Sequence, residues 1–177
     1  ETSFLIITGP NMAGKSTYLR SVGLAIVSAN AGFPVLAESC TMSQMELYSS
    51  MRTSDDLTVE SSYFHAELTR LRFIVDAIES GKKVFVILDE ILKGTNSKDK
   101  EQGSASFMLK LNKIGAKGII ATHDLSLTNL SNNTTEFKNV YFDSTITGDS
   151  LTFDYKIREG VCQNMNASFL LKKMKLV

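Results

Sequence analysis

The stretch TGPNMAGKST, residues 8–17, decides the fold of this chain. It contains the pattern G-x-x-x-x-G-K-[ST] over residues 9–16, in a loop bounded by two glycines. The apolar run 4–7 before it predicts a buried strand, and apolar residues at helical spacing after it predict a helix over about 14–31. A loop of this pattern between a strand and a helix is typical of phosphate binding.

Backbone amides of this loop are expected to hold the phosphates. The residues that we expect to contact a nucleotide are Gly9, Pro10, Asn11, Met12, Ala13, Gly14, Lys15, Ser16 and Thr17. The glycines let successive N–H groups turn toward an anion at a helix N-terminus. Because proline has no N–H, the later amides, from Met12 to Thr17, must form the cradle.

Three side chains of the loop are candidates for chemistry. Lys15 is expected to neutralise the β and γ phosphates, and the Ser16 hydroxyl is expected to ligate Mg²⁺. The amide of Asn11 can both donate and accept. It either contacts the γ-phosphate or the attacking water, or it satisfies the backbone of a glycine turn.

The next elements alternate between strand and helix. Apolar residues at helical spacing predict helices over 64–79 and about 99–113. The apolar runs 84–88 and 118–121 predict buried strands of a parallel sheet. Residues 35–50 predict one or two further strands.

The hydrophobic period changes to two after about residue 136. It predicts a strand around 139–146, a turn over 147–150 and a half-exposed strand over 151–157. A last helix is predicted over 166–177, and the polar segment 51–62 is predicted to be a loop. Together these elements predict an α/β fold of the P-loop NTPase type, a mostly parallel sheet flanked by helices with an antiparallel hairpin near the C-terminus.

Acidic residues at the end of the 84–88 strand complement the glycine-bounded loop. At such a strand end an aspartate holds Mg²⁺ and a neighbouring carboxylate polarises the hydrolytic water, so we assign Asp89 to the metal and Glu90 to the general base. Without the loop, the same pair would be read as a solubility device. His123 follows the 118–121 strand and either senses the γ-phosphate and water or serves as a structural hydrogen bonder.

Composition narrows the class of protein. Lys plus Arg and Asp plus Glu each number 19, so no basic excess indicates nucleic-acid binding. Cys40 and Cys162 fit no metal or redox spacing, which favours thiols in a reducing compartment. No apolar run reaches the roughly 18 residues of a membrane helix. We therefore expect a cytoplasmic protein that does not contact a membrane.

The sequence resembles the ATPase domain of MutS-type DNA mismatch-repair proteins, which are ABC-like P-loop ATPases. The resemblance is carried by TGPNMAGKST, DDLTVESSYFHAELTRL, ILDEILKGTNSKD and ATHDL, which occur in family order and cover nearly the whole chain. Asparagine between the loop glycines is characteristic of this family. Transporter ATPases would instead show a glycine-rich LSGGQ-like signature, which this sequence lacks.

The resemblance implies that residues of one subunit act on its own nucleotide: Asn11, Lys15, Ser16, Asp89, Glu90 and His123. It also implies that Ser62, or its neighbour Ser61, reaches the γ-phosphate of a partner subunit from the head of the 64–79 helix. Either serine could also cap its own helix, and the two roles are compatible.

The sequence departs from the family pattern at several positions. Leu92-Lys93 stand where the family usually has Gly-Arg, and residues 163–166 stand where it usually has Lys-Ser-Tyr-Gly. Ser168 stands where many members carry a base-contacting histidine. The charged run 93–100 is interpreted as solvated surface.

The combined interpretation is a single MutS-like ATPase domain over 1–177, expected to be part of a longer protein. The resemblance implies ATP and Mg²⁺ as cofactors, a homodimer with composite ATP sites, and DNA bound through domains absent from this chain. Hydrolysis would then drive a DNA clamp in mismatch repair. Two alternatives stay open: a nucleotide-dependent dimerisation switch with little hydrolysis, and a MutS-like protein acting on other DNA structures.

Overall fold

The structure is a computed structural model that describes residues 1–51, 60–148, 150–163, 166, 171 and 173–176, with the backbone alone for 60–63. Its strands are β1 (Phe4–Thr8), β2 (Glu46–Ser50), β3 (Val84–Asp89), β4 (Lys117–Ala121), β5 (Phe137–Phe142), β6 (Thr145–Thr147), β7 (Ser150–Thr152) and β8 (Ile157–Glu159). Its helices are α1 (Lys15–Asn30), α2 (Glu60–Glu79), α3 (Ser97–Lys113), a 3-10 segment (Leu125–Asn129) and α4 (Leu130–Asn133).

A six-stranded sheet in the order β2-β3-β4-β1-β5-β8 forms the centre of the fold. The neighbours from β2 to β5 are parallel, and β8 pairs antiparallel with β5. β6 and β7 form a separate antiparallel hairpin. The expected mostly parallel sheet with an antiparallel hairpin near the C-terminus is confirmed.

Helices cover both faces of the sheet because neighbouring residues of the buried strands point to opposite sides. Ile6 of β1 belongs to a core that includes Leu71 of α2 and Leu111 of α3. Ile7 belongs to a second core, which includes Leu19 of α1. α1 therefore packs on one face, and α2 and α3 pack on the other.

The carboxyl ends of β3, β4 and β1 meet at one edge, because these strands are consecutive in the sheet. In register, Ala121 lies beside both Asp89 and Ile7. Main-chain bonds continue past the strand ends: Glu90 N–H donates to the Ala121 carbonyl at 2.9 Å, and Thr122 N–H donates to the Ile7 carbonyl at 3.0 Å. The loops after these three strands are thereby brought side by side.

The long strands predicted after residue 136 were wrong in their extent. The 139–146 prediction corresponds to β5 and β6, and the 151–157 prediction corresponds to β7 and β8. The second break has a local cause: the Asp154 carboxylate accepts from the Lys156 N–H at 3.0 Å, and Tyr155 adopts a φ of +57°. Such an aspartate turn ends a strand although the apolar alternation continues through it.

Other predicted elements differ from the structure in smaller ways. Of the segment 35–50, only residues 46–50 form a strand, and α2 begins at Glu60, inside the predicted loop 51–62. The predicted last helix, 166–177, falls mostly outside the described residues. In the part of the chain that the structure describes, no helix is both long enough and apolar enough to cross a membrane.

Candidate functional site

The loop between β1 and α1 (residues 9–14, the glycine loop) is turned by residues with positive φ. These are Gly9 at +147°, Met12 at +67° and Gly14 at +99°. A Cβ on Gly9 would lie 2.6 Å from the carbonyl oxygen of Phe142, so the close approach of β5 requires glycine there. The loop ends at the N-terminus of α1, where free N–H groups favour an anion.

The Lys15 ammonium lies within the glycine loop. The residue is only 7% exposed, and Nζ donates to the carbonyl oxygens of Gly9 at 2.7 Å and Pro10 at 2.9 Å. Burial lowers the pKa of Lys15, an effect that the charges of Glu90 and Asp89 reduce without cancelling. A cation held by two neutral carbonyls would bond more strongly to an anion that entered the loop.

The first turn of α1 is joined to the end of β3 by a side-chain hydrogen bond. The Ser16 Oγ donates to the Asp89 Oδ2 at 2.8 Å. Among the described residues, no cluster of three or more His, Cys, Asp or Glu side chains is placed to hold a metal ion. A hydroxyl beside one carboxylate still fits Mg²⁺, which commonly takes one or two protein ligands and completes its octahedron with water and phosphate oxygens.

Both carboxylate oxygens of Glu90 have a partner. Oε1 lies 3.1 Å from the Nε2 of His123, and Oε2 lies 3.0 Å from the Nζ of Lys93. Burial raises the pKa of Glu90, but the hydrogen bond and charge of Lys93, together with the charge that His123 carries when it is protonated at acidic pH, outweigh it and hold the pKa below its usual value. Glu90 is therefore ionised at neutral pH, as a general base must be.

His123 is neutral at neutral pH. Burial lowers its pKa, the charge of Lys15 lowers it further, and the opposing charge of Glu90 does not restore it. Its 3.1 Å contact with Glu90 is then one between a neutral imidazole and a carboxylate. Lys93 is the charged partner at the other carboxylate oxygen.

Comparison with known proteins identifies the family. The sequence profile described as MutS domain V matches residues 5–175. The chain belongs to the MutS domain V family. Over 164 residues it is 34% identical to the DNA mismatch repair protein MutS of Methanococcoides burtonii, a match that covers 90% of this chain and 18% of that protein. This MutS domain V chain thus spans less than a fifth of the length of its relative.

The structure of this MutS domain V brings most of the predicted site together. The glycine loop, Ser16, Asp89, Glu90 and His123 converge at the carboxyl ends of β1, β3 and β4. Asn11 lies at the exposed tip of the loop.

Two other predicted residues, Ser61 and Ser62, are less fully placed. Ser61 and Ser62 belong to the first turn of α2, but their side chains lie outside the described residues. Ser168 also lies outside the described residues.

Two contacts at the site were missed by the sequence interpretation. Lys93, assigned there to solvated surface, instead pairs with Glu90. The spacing of three residues between an acid and a base was the only signal for this pair. The ring of Tyr155 lies against the glycine loop, since a Cβ on Gly14 would be 3.1 Å from its Cδ1. Nothing in the alternating pattern around Tyr155 distinguished it from an ordinary strand residue.

Proposed function

We propose that this chain is a Mg²⁺-dependent ATPase module of the P-loop type. The observation that carries the proposal is the convergence of a buried ammonium, a hydroxyl–carboxylate pair and an ionised carboxylate around one glycine loop. Lys15 is inside that loop, Ser16 and Asp89 are joined at 2.8 Å, and Glu90 faces the same edge of the sheet. Phosphoryl transfer needs these parts for positioning and charge stabilisation, and it needs little else from the protein.

The roles of the side chains follow from their chemistry. Lys15 would exchange its carbonyl partners for phosphate oxygens, and the amides of the glycine loop would hold the same phosphates. Ser16 and Asp89 would hold Mg²⁺, which when bound neutralises charge on the phosphates. Glu90 would accept a proton from the attacking water, with the imidazole of His123 orienting its carboxylate.

Lys93 must release Glu90 before that carboxylate can act on water. In the structure, His123 and Lys93 each engage one oxygen of Glu90. An entering γ-phosphate carries more charge than a carboxylate and would compete for the Lys93 ammonium. If Lys93 stayed on Glu90 after nucleotide binding, the chain would bind nucleotide and hydrolyse it little, as in the alternative of a dimerisation switch.

Tyr155 is the candidate contact for the nucleotide base. The residue is 64% exposed, its ring lies beside Gly14, and it stands at the turn between β7 and β8. An exposed aromatic face next to a phosphate loop is suited to stacking on a base. A crystal structure with a bound ATP analogue would test this placement.

We further propose that the module acts within a longer MutS-like protein in DNA mismatch repair. Membership in the MutS domain V family supports the role in mismatch repair. The match covers only 18% of the mismatch repair relative, which supports a longer protein. DNA would be bound by other domains. The N-terminus of α2, with Ser62 or Ser61, would complete the ATP site of a partner subunit, because a helix N-terminus with a hydroxyl favours a phosphate.

A composite site predicts turnover that depends on protein concentration. If each site lacks its partner serine until two copies meet, the specific ATPase activity should rise with concentration and then reach a plateau. Steady-state phosphate release over a dilution series measures this, with Ser62→Ala expected to lower the plateau. A specific activity that stays flat across the series would show that each copy works alone.

A further inference from the structure

Glu67 of α2 reaches the main chain of the loop that follows β3 (residues 90–94, the post-β3 loop). Its Oε1 accepts a hydrogen bond from the backbone N–H of Leu92 at 2.7 Å, in a partly buried position. Leu92 has a φ of +58°, a conformation that side chains other than glycine adopt rarely. A leucine held in that conformation needs surrounding contacts to keep it there.

The post-β3 loop is clamped between two helices. A Cβ on Gly94 would lie 2.7 Å from the Cβ of Phe64, so α2 packs directly on the loop backbone. The side chain of Leu92 is 8% exposed and points to α3, since a Cβ on Gly103 would lie 2.8 Å from its Cδ1. At Gly94 a larger residue would collide with the Cβ of Phe64, whereas at Gly103 the end of the Leu92 side chain would have to shift. The Glu67 hydrogen bond is thus one part of a rigid contact between α2 and the loop.

Leu92 lies close enough in the chain to Glu90 for its conformation to influence where Glu90 points. Only the buried residue Ile91 separates the two, and Glu90 itself has a φ of +50°. Two left-handed residues so close together leave the backbone little freedom to compensate for a change in either. Loss of the Leu92 turn would therefore move the Glu90 carboxylate relative to His123.

We propose that Glu67 is a positioning residue that aims Glu90 by holding the Leu92 turn. Through the same bond it couples Glu90 to the N-terminus of α2, since Ser62 is only about one and a half helical turns from Glu67. A shift of α2 when its N-terminus meets the phosphate of a partner would be passed to the base. This inference rests on the proposed ATPase function.

A pair of substitutions at one position tests the hydrogen bond. Glu67→Gln keeps a carbonyl oxygen that can accept from Leu92, whereas Glu67→Ala removes the acceptor. We expect Glu67→Ala to lower kcat by about 10-fold or more while KM and the Kd for ATP change by less than about threefold. Glu67→Gln should keep kcat within about threefold of the unsubstituted protein.

Glu79→Ala is the matched control, because Glu79 lies on the same helix and pairs with Arg72 and Lys110, away from the post-β3 loop. It should leave kcat and KM unchanged. A Glu67→Ala protein with unchanged kcat, or equal kcat losses for Glu67→Ala and Glu67→Gln, would overturn the inference. A loss of ATP affinity as large as the loss of kcat would also overturn it, because it would indicate general damage to the site.

If the Glu67→Ala protein fails to fold, the same substitution can be tested in a protein that already carries Leu92→Gly. Glycine adopts the left-handed turn without support, so in Leu92→Gly protein the Glu67→Ala change should lower kcat by less than about threefold. A loss as large as about 10-fold in that background would contradict the role assigned to Glu67. Absence of ATP binding and turnover in the unsubstituted protein would overturn the proposed function itself. Normal ATP turnover that does not change when Glu67 is substituted would overturn only the inference about Glu67.

Discussion

Lys15→Ala should reduce ATP turnover to background and weaken ATP binding by about 100-fold, as expected for loss of charge-assisted hydrogen bonds worth about 1.5–3 kcal/mol. The ammonium is enclosed by the glycine loop, and within the described part of the chain its hydrogen-bond acceptors are the carbonyls of Gly9 and Pro10. The side chains of the glycine loop itself, residues 9–14, carry no positive charge. Isothermal titration calorimetry with MgATP measures the change in binding, and steady-state phosphate release measures the change in turnover.

Arg20→Ala is the control for the Lys15 substitution. Arg20 is an exposed cation on the same helix, so its loss changes the net charge equally without touching the glycine loop. It should bind and hydrolyse ATP as the unsubstituted protein does. Unchanged ATP affinity in the Lys15→Ala protein would show that the glycine loop does not hold the phosphates.

Glu90→Gln should lower kcat by about 10²- to 10⁴-fold, the usual contribution of a general base, while ATP binding stays within a few-fold. The amide keeps the shape of the carboxylate but cannot take a proton from water. Lys93 and His123 hold the pKa of Glu90 below its usual value, so the residue is ionised across the neutral range and its loss is a loss of the active form. Single-turnover measurement of hydrolysis isolates this step from product release.

Glu101 provides the matched control for the Glu90 substitution. Glu101→Gln removes an exposed carboxylate of α3 and should leave kcat unchanged. If Glu90→Gln turned over ATP at the rate of the unsubstituted protein, Glu90 would not be the base. Very slow turnover in the unsubstituted protein, with tight ATP binding, would instead favour the dimerisation switch.

The central sheet and the geometry of the glycine loop were predictable because their signals are local. The apolar runs before Gly9 and before Asp89 are short and bounded, which is how strands buried on both faces appear in a sequence. The carboxyl ends of all parallel strands in a sheet lie at the same edge, so the two halves of the site were expected at that edge. The structure places Ser16 and Asp89 in contact there, across the intervening strand β4.

The remaining contacts were not predictable because they depend on tertiary placement and on turns that interrupt the alternation of apolar and polar residues. The alternation around Tyr155 continues through a turn that Asp154 closes with its own side chain. Leucine at 92 gave no sign of a left-handed conformation, which glycine would have suggested. The reach of Glu67 to Leu92 depends on how α2 lies against the post-β3 loop, and no spacing in the sequence encodes that.

A crystal structure with Mg²⁺ and a non-hydrolysable ATP analogue is the most direct test of the central claim. We expect the triphosphate within the glycine loop, with the Lys15 Nζ moved from the carbonyls to the phosphates and the metal between Ser16 and Asp89. Lys93 should no longer contact Glu90.

In the same structure, the base should lie beside Tyr155. A loop empty of phosphate at saturating analogue, with the Lys15 ammonium still on the carbonyls of Gly9 and Pro10, would contradict the account.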